Sequence, residues 1–487
     1  MVYDFSKINF SKFKLKFKDP FNPRDLIPTD IDLPAAGKSY DCESNLSTVL
    51  TQLARYSKER NINLSPKWYS IQYALQEKFR SRFLKRDPTR VTNYHLAKHL
   101  NPVIDKIRKN GGCFKELNLL LSNYNESFSI RFFLKSIQKV VLAKSLDADK
   151  PGQGISAWSP QLNAVYCAVF RAIEECFKSD LKDNVIYDNG ISETDLDFRI
   201  SQLWDHDAKI FTSDCKEFDA NQDASTQFLE DTMASMYLPI EILRLYRQMR
   251  LKSKQRSKFV TLTKETVKDS GESATLLTNT TVKMFHTLLT TDVKGVHVET
   301  YKGDDGCINA DEIELTNLLV KLDPELHLPI IADMDFPLHG DMGGWFYSSF
   351  GIIPDILKLV AKFISKDFSK KSTLTPWEKQ KYGVETLSYF EQVKLSLVDK
   401  EKFLNEKKII YLQRIYRDVY GMEATAFVQL ISYFYFLQGN DYEPSDLKYF
   451  NAIYFSDSGY QREDLTEADK NRKRIVQTYK NVQDIKI

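Results

Sequence analysis

The chain has 487 residues, enough for several subdomains around a large core, and its 42% apolar and 28% charged residues are those of a soluble globular protein. A net charge of +2 excludes a uniformly basic nucleic-acid-binding protein, so any nucleic-acid path must come from local segregation of charge. The six cysteines, Cys42, Cys113, Cys167, Cys176, Cys215 and Cys307, are scattered without metal-ligand spacing; this excludes a disulfide framework and a zinc site and suits a reducing cytosol.

No apolar run is long enough to span a bilayer; the longest, residues 426–437, carries Gln429 and Ser432. The first residues lack the basic-then-apolar order of a signal peptide. Residues 10–18 alternate Phe13, Leu15 and Phe17 with Lys12, Lys14, Lys16 and Lys18, a strand with one cationic face. A solvated strand is the favoured reading there over an RNA or membrane contact. Pro20, Pro23 and Pro28 mark an irregular linker. Residues 44–121 read as several helices with turns at Pro66, Pro88 and Gly111-Gly112, and residues 130–141 as one or two strands projecting cations. An amphipathic helix is predicted over 164–177, a helical pair broken near Pro239 over 228–251, and a long helix over 274–290. The Gly- and aromatic-rich stretch 336–353 suits a hairpin around Gly340 to Gly344. Helices dominate after Pro354. Ile356, Leu359, Val360, Phe363 and Ile364 form one apolar face, and Lys358, Lys362 and Lys366 a stripe that is either solvated or RNA-facing. No internal repeat is visible.

Three segments carry chemistry. Tyr301-Lys302-Gly303-Asp304-Asp305 places two adjacent acids at a glycine turn between strand-like segments, 296–301 and 307–309. Carboxylates held side by side repel each other, which favours a divalent cation. Upstream, Asp214 ends the apolar stretch at Phe211, and Asp219 follows five residues later. Between these acids and the Asp-Asp pair lies Ser270-Gly271-Glu272-Ser273-Ala274-Thr275-Leu276-Leu277-Thr278-Asn279. An isolated Asp at a strand end is ordinarily a cap or turn residue, and Ser270-Gly271 alone would merely cap the helix that follows. Chance rarely supplies all three segments in this order.

These segments resemble palm motifs A, B and C of viral RNA-dependent RNA polymerases. Lys150-Pro151-Gly152-Gln153-Gly154-Ile155-Ser156-Ala157-Trp158, followed by Phe170-Arg171-Ala172-Ile173-Glu174, resembles the segment that ends motif F in the alphavirus-like superfamily, with the hepatitis-E-like branch as the nearest match. The resemblance covers roughly residues 129–368 and implies an α+β right-hand polymerase. Fingers and an N-terminal extension would occupy residues 1–128, and fingers with motif F 129–210. A palm with a small antiparallel sheet would fill 211–351, with a fingers insertion between motifs A and B, and a mostly helical thumb 352–487. It implies replication of a positive-strand RNA virus genome by two-metal nucleotidyl transfer with Mg²⁺ (or Mn²⁺). Asp214 and Asp304 would be the bridging ligands and Asp305 the auxiliary one. Asp219 and Asn279 would hold the ribose, Ser270 and Thr275 would complete the 2′-hydroxyl network, and Gly271 would allow a mobile motif B loop. Lys135, Lys139, Lys144 and Lys150 would bind the triphosphate, with Lys135 and Lys139 foremost. The motif D lysine is not at its usual place, which leaves Lys321 and His327 as candidate general acids. The implied partners are RNA template and nascent strand, NTPs, and methyltransferase and helicase portions of a longer replicase. Host membranes would be reached through other replicase parts, which implies membrane-associated replication sites in the host cytoplasm.

Two rivals stand beside this reading. A reverse transcriptase shares the palm acids but has a bulky residue where Asp219 stands and lacks the Ser-Gly…Thr…Asn segment. A catalytically silent RNA-binding scaffold would not need the complete acid set.

Overall fold

The structure, a computed structural model, describes residues 13–15, 45–56, 63–109, 129–134, 154–158, 160–364 and 397–420, with residues 424, 427, 430, 431 and 434. The chain divides into two compact units. The described residues of the first run to Met342, and those of the second begin at Gly343. The fold is mixed α+β, as expected. Among the described residues no helix is long and apolar enough to cross a membrane.

The first unit holds two five-stranded sheets. One runs β1 (Phe13–Leu15), β7 (Val260–Glu265), β6 (Lys252–Arg256), β2 (Ser129–Leu134), β3 (Gly154–Ala157). The short strand foreseen near Phe13 thus finds its partner far along the chain, Lys14 lying opposite Thr261. β2 and β6 pair in parallel. Ile130, Phe132 and Leu134 are buried while Arg131 and Phe133 are exposed, the alternation of a half-buried strand. Val49, Leu53, Phe259 and Val260 form one apolar cluster of this region, and Tyr56, Phe132, Leu262 and Val267 another.

The other sheet runs β10 (Ala332–Asp335), β5 (Lys209–Cys215), β9 (Asp305–Leu315), β8 (Thr291–Lys302), β4 (Val185–Tyr187). All neighbours are antiparallel except β4 with β8. On one face Phe211, Ile308, Ala310 and Ile313 cluster. Cys215, Val185, Tyr187 and Tyr301 instead join the main core with the helices. Helix Lys67–Phe83 buries Trp68, Ile71, Leu75, Phe79 and Phe83, one stripe at i, i+3/i+4 spacing. Phe79 stacks on Phe285 of helix Thr275–Thr290, with ring centroids 4.6 Å apart. That second helix is buried from Leu277 to Leu289 around its whole circumference, so it runs through the core and not along its surface.

The helices predicted over 164–177 and 274–290 are present as Pro160–Asp180 and Thr275–Thr290. The pair around Pro239 is present as Ala224–Tyr237 and Arg244–Leu251. In the second unit β11 (Trp345–Ser348) and β12 (Gly351–Pro354) form a hairpin, followed by helices Ile356–Ile364 and Glu406–Tyr420. Tyr416 ties this unit together: its hydroxyl donates to Asp355 Oδ1 (2.8 Å) and accepts from the Leu357 amide (2.9 Å). Of the lysine stripe, Lys358 pairs with Asp355 (3.2 Å), and the side chains of Lys362 and Lys366 lie outside the described residues.

Candidate active site

The Asp304-Asp305 pair owes its position to a two-residue hairpin. Lys302 pairs with Asp305 across β8 and β9, leaving Gly303 and Asp304 as the turn. Gly303 has φ +62°, the left-handed region that a primed hairpin turn needs at its first central residue. The turn is pinned from beneath. The Gly303 amide donates to Thr280 Oγ1 at 2.8 Å, and that hydroxyl donates to the Leu276 carbonyl one turn back on the buried helix. β5 runs antiparallel to β9 with Ser213 opposite Gly306, so Asp214 emerges beside Asp305 at the same end of the sheet. Asp214 is exposed and Asp304 and Asp305 are half-buried. Burial, then the charges of Asp304 and Asp214, push the Asp305 carboxyl up to about 6, and Lys283 opposes the shift. Among the described residues no three His, Cys, Asp or Glu side chains converge into a metal cage.

Lys283 is a residue the sequence reading missed. It is fully buried, donates to the Ser213 carbonyl (2.6 Å) and contacts Cys215 Sγ (3.3 Å). It therefore sets a positive charge beside the strand that carries Asp214, and that charge opposes the rise of the Asp305 carboxyl. Its signal was available: it lies one helical turn after Asn279, at i+4 on the same helix.

Asn279 and Asp219 come together. Asn279 Nδ2 donates to Asp219 Oδ1 at 2.7 Å, and burial raises the Asp219 carboxyl to about 6 against this bond and the charge of Lys268. Ser270 and Thr275 point elsewhere. Ser270 Oγ donates to the Gly154 carbonyl (2.9 Å), and Thr275 Oγ1 to the carbonyls of Asp269 (2.9 Å) and Glu272 (3.1 Å). Both hydroxyls hold the loop. Neither caps the following helix, whose N-cap is Ala274. Gly271 lies against β3, where a Cβ would stand 2.4 Å from the Ser156 carbonyl oxygen. Glycine is required here for close approach, and the Gly154–Trp158 segment thereby backs the motif B loop.

Behind Asp219 and Asn279 is a buried ionic cluster that the sequence reading did not foresee. Glu230 accepts from Arg247 (2.8 Å), Arg250 and Lys268 (3.2 Å). Glu272 pairs with Lys268 (3.2 Å) and accepts the Tyr246 hydroxyl, while Asp269 pairs with Lys264 (2.6 Å) and accepts the indole N–H of Trp158 (2.9 Å). Burial disfavours charge on Glu230, but Arg250, Lys268 and Arg247 more than offset it and hold this carboxyl well below its usual range. Asp269, whose burial outweighs Lys264, is raised.

The remaining expected residues are not brought to the acids. Lys135, Lys139, Lys144 and Lys150 lie outside the described residues. Lys321 sits past the far end of β9, bonded to Thr316 Oγ1 (2.9 Å). There it lines a cavity of about 620 Å³ with Arg82, Thr291 and Glu299. At strand rise the length of β9 separates that end from the Asp304 turn by roughly 30 Å. His327 is exposed on the segment between helix Leu318–Leu322 and β10. A cationic face does appear on the other sheet: Arg131 and Arg256 are register partners, with Lys254 two residues before Arg256, and all three are exposed.

Fold and site together define an α+β protein with three acidic residues, Asp214, Asp304 and Asp305, at one end of a largely antiparallel sheet. A family model described as RNA dependent RNA polymerase matches residues 71–320, just over half of the sequence, and the chain belongs to that family. It is 25% identical over 324 residues to the non-structural polyprotein pORF1 of Hepatitis E virus genotype 1 (isolate Human/India/Hyderabad), a match covering 66% of this chain and 18% of that protein. It is 29% identical over 245 residues to the replicase of Beet necrotic yellow vein virus (isolate Japan/S), covering 49% of this chain and 11% of that protein. The chain thus spans less than a fifth of the length of these curated relatives. The alphavirus-like, hepatitis-E-like resemblance seen in the motifs agrees with both.

Proposed function

We propose that this chain carries out template-directed RNA synthesis on an RNA template, joining NTPs to a 3′ end during replication of a positive-strand RNA virus genome. The observation that carries the reading is the strand register that brings Asp214, Asp304 and Asp305 to one sheet end, where burial first, and then the charges of Asp304 and Asp214, raise Asp305 to about 6. Hard oxygen donors that repel one another suit Mg²⁺ or Mn²⁺, and Mg²⁺ usually needs only one or two carboxylates besides waters and substrate phosphates. Asp214 and Asp304 would bridge two such ions, with Asp305 auxiliary. The ions would lower the pKa of the attacking 3′-hydroxyl and offset charge on the departing pyrophosphate. Asp219 and Asn279 would receive the ribose hydroxyls; a deoxyribose would leave their buried polar groups unpaired. The wider arrangement would be a right hand, with the β10-β5-β9-β8-β4 sheet as palm. Other portions of a longer replicase, a methyltransferase and a helicase, would act beside it, and relatives named as polyproteins support that linkage; the assembly would work at membrane-associated sites in the host cytoplasm.

Primer extension on an RNA template with rNTPs or dNTPs, with and without Mg²⁺, tests this. Metal-dependent rNTP incorporation is expected. RNA binding without incorporation would favour the silent scaffold, and dNTP preference the reverse transcriptase.

Two further outcomes are expected. A proton and a divalent ion compete for Asp305, whose raised pKa keeps the ion-free carboxyl protonated up to about 6. The Mg²⁺ concentration for half-maximal incorporation should therefore rise as pH falls through that value; Mg²⁺ titrations on either side of it giving the same requirement would refute the competition. The exposed cations on β2 and β6 are expected to follow the RNA backbone. Changing Arg131, Lys254 and Arg256 together to Ala should weaken RNA binding and make the plot of log affinity against log salt shallower by roughly 2, as loss of three single-strand phosphate contacts requires. An unaltered slope would move the RNA path elsewhere.

A further inference from the structure

Asn279 is held in a directed chain of side chains that starts at a buried guanidinium. Arg250 Nη2 donates to Gln222 Oε1 at 3.1 Å. Gln222 Nε2 donates to Asn279 Oδ1 at 3.0 Å, and Asn279 Nδ2 donates to Asp219 Oδ1 at 2.7 Å. Arg250 and Gln222 are fully buried, and Arg250 is itself fixed by Glu230.

The two ends of this chain differ chemically. A guanidinium can only donate, and a carboxylate accepts. With Arg250 at one end, the Gln222 amide must turn its oxygen toward Arg250 and its NH₂ toward Asn279. Asn279 must then turn its oxygen toward Gln222 and its NH₂ toward Asp219. Flipping either amide sets NH₂ against guanidinium or oxygen against oxygen. In a buried site such mismatches are costly, because no water replaces the lost partners. Asp219 alone already draws the Asn279 NH₂, but a single bond leaves the amide plane free to tilt; the bond from Gln222 to Oδ1 holds the other end of the amide.

We propose that Gln222 and Arg250 are positioning residues for ribose recognition: through this polar relay they hold the oxygen end of the Asn279 amide while Asp219 holds the NH₂ end, and so fix the plane in which Asn279 meets the incoming sugar. The inference rests on the reading of Asp219 and Asn279 as the ribose site. Neither residue touches the sugar. Their effect reaches it only through Asn279, which separates this role from a general contribution to packing.

The test is a double-mutant cycle on sugar selectivity, read as kcat/KM for an NTP over kcat/KM for the matching 2′-dNTP. Gln222→Glu keeps the shape and the acceptor for Arg250 but cannot donate to Asn279 as a carboxylate. Gln222→Met removes both partners and serves where the new charge impairs folding. Either variant should lower the selectivity about tenfold, the scale of one lost hydrogen bond, with the loss falling on the NTP. In an Asn279→Ala background the same change should have no further effect on selectivity. Wild-type selectivity in both Gln222 variants would overturn the proposal, as would an equal loss with and without Asn279. If Asn279→Ala itself leaves selectivity untouched while the wild type incorporates NTPs, the relay has no sugar to act on and the proposal falls, with the polymerase reading intact. No incorporation by the wild type would instead overturn the polymerase reading itself.

Discussion

Asp304→Asn and Asp214→Asn should each reduce nucleotide incorporation by about 10³-fold or more while leaving RNA binding largely intact. The substitutions keep the shape of the side chain and remove its charge. Each therefore weakens the set of oxygens that would face the reacting phosphate without emptying space in the core. The local structure should survive, because the turn carrying Asp304 is held by the Gly303 amide on Thr280 and by the β8–β9 ladder, neither of which uses the carboxylate. RNA binding should survive because carboxylates repel phosphate and contribute nothing to holding it. In Asp304→Asn, moreover, Asp305 loses a neighbouring charge that raises its pKa, so the remaining carboxyl should ionise more readily. Single-turnover extension measured beside RNA binding checks both halves. Near-normal extension by Asp304→Asn would sink the catalytic assignment, and parallel loss of RNA binding would mean that the acids serve the fold.

Local signals carried the motif segments. Gly303 between two alternating stretches reads as a hairpin, and the apolar run after Ser270-Gly271 reads as a helix, because turn chemistry and periodicity are properties of neighbouring residues. The hairpin is longer than its predicted strands. Beyond the sheet it continues as a ribbon with exposed pairs such as Lys294–Glu312 (2.6 Å), where apolar alternation has no core to mark it. The buried ionic cluster was illegible for the opposite reason. Glu230, Arg247 and Arg250 look like a solvated helix face in sequence, and only the packing of three separate segments gives them partners. Lys283 was hidden by the same prior, since lysine is almost never fully buried unless paired. The pairing of β2 with β6 was unreadable too: parallel neighbours more than a hundred residues apart leave no local trace in Lys252-Ser253-Lys254-Gln255-Arg256. The motif F lysines were read from resemblance and lie outside the described residues.

Glu230→Ala should be the most destabilising single substitution behind the site, costing roughly 3–5 kcal/mol, because it leaves buried cations without their shared counter-charge. Glu230 is fully buried and bonds Arg247, Arg250 and Lys268 together. The cluster as built balances Arg247, Arg250, Lys264 and Lys268 against Glu230, Asp231, Asp269 and Glu272. Deleting one acid forces a net charge into the core, and Arg250 loses the partner that fixes it behind Gln222. The same carboxyl predicts the acid limb of stability. Its folded pKa is depressed, so its contribution is fully present above the unfolded glutamate value near ~4.3 and is lost as pH falls toward the folded value. Glu230→Gln should therefore be less stable than the wild type at neutral pH, and the difference should shrink in acid below that value. Denaturant unfolding at neutral and acidic pH reads both effects. A loss under about 1 kcal/mol at neutral pH, within the range of an exposed ion pair, would show that the cluster is solvated and not the buried charge network described above.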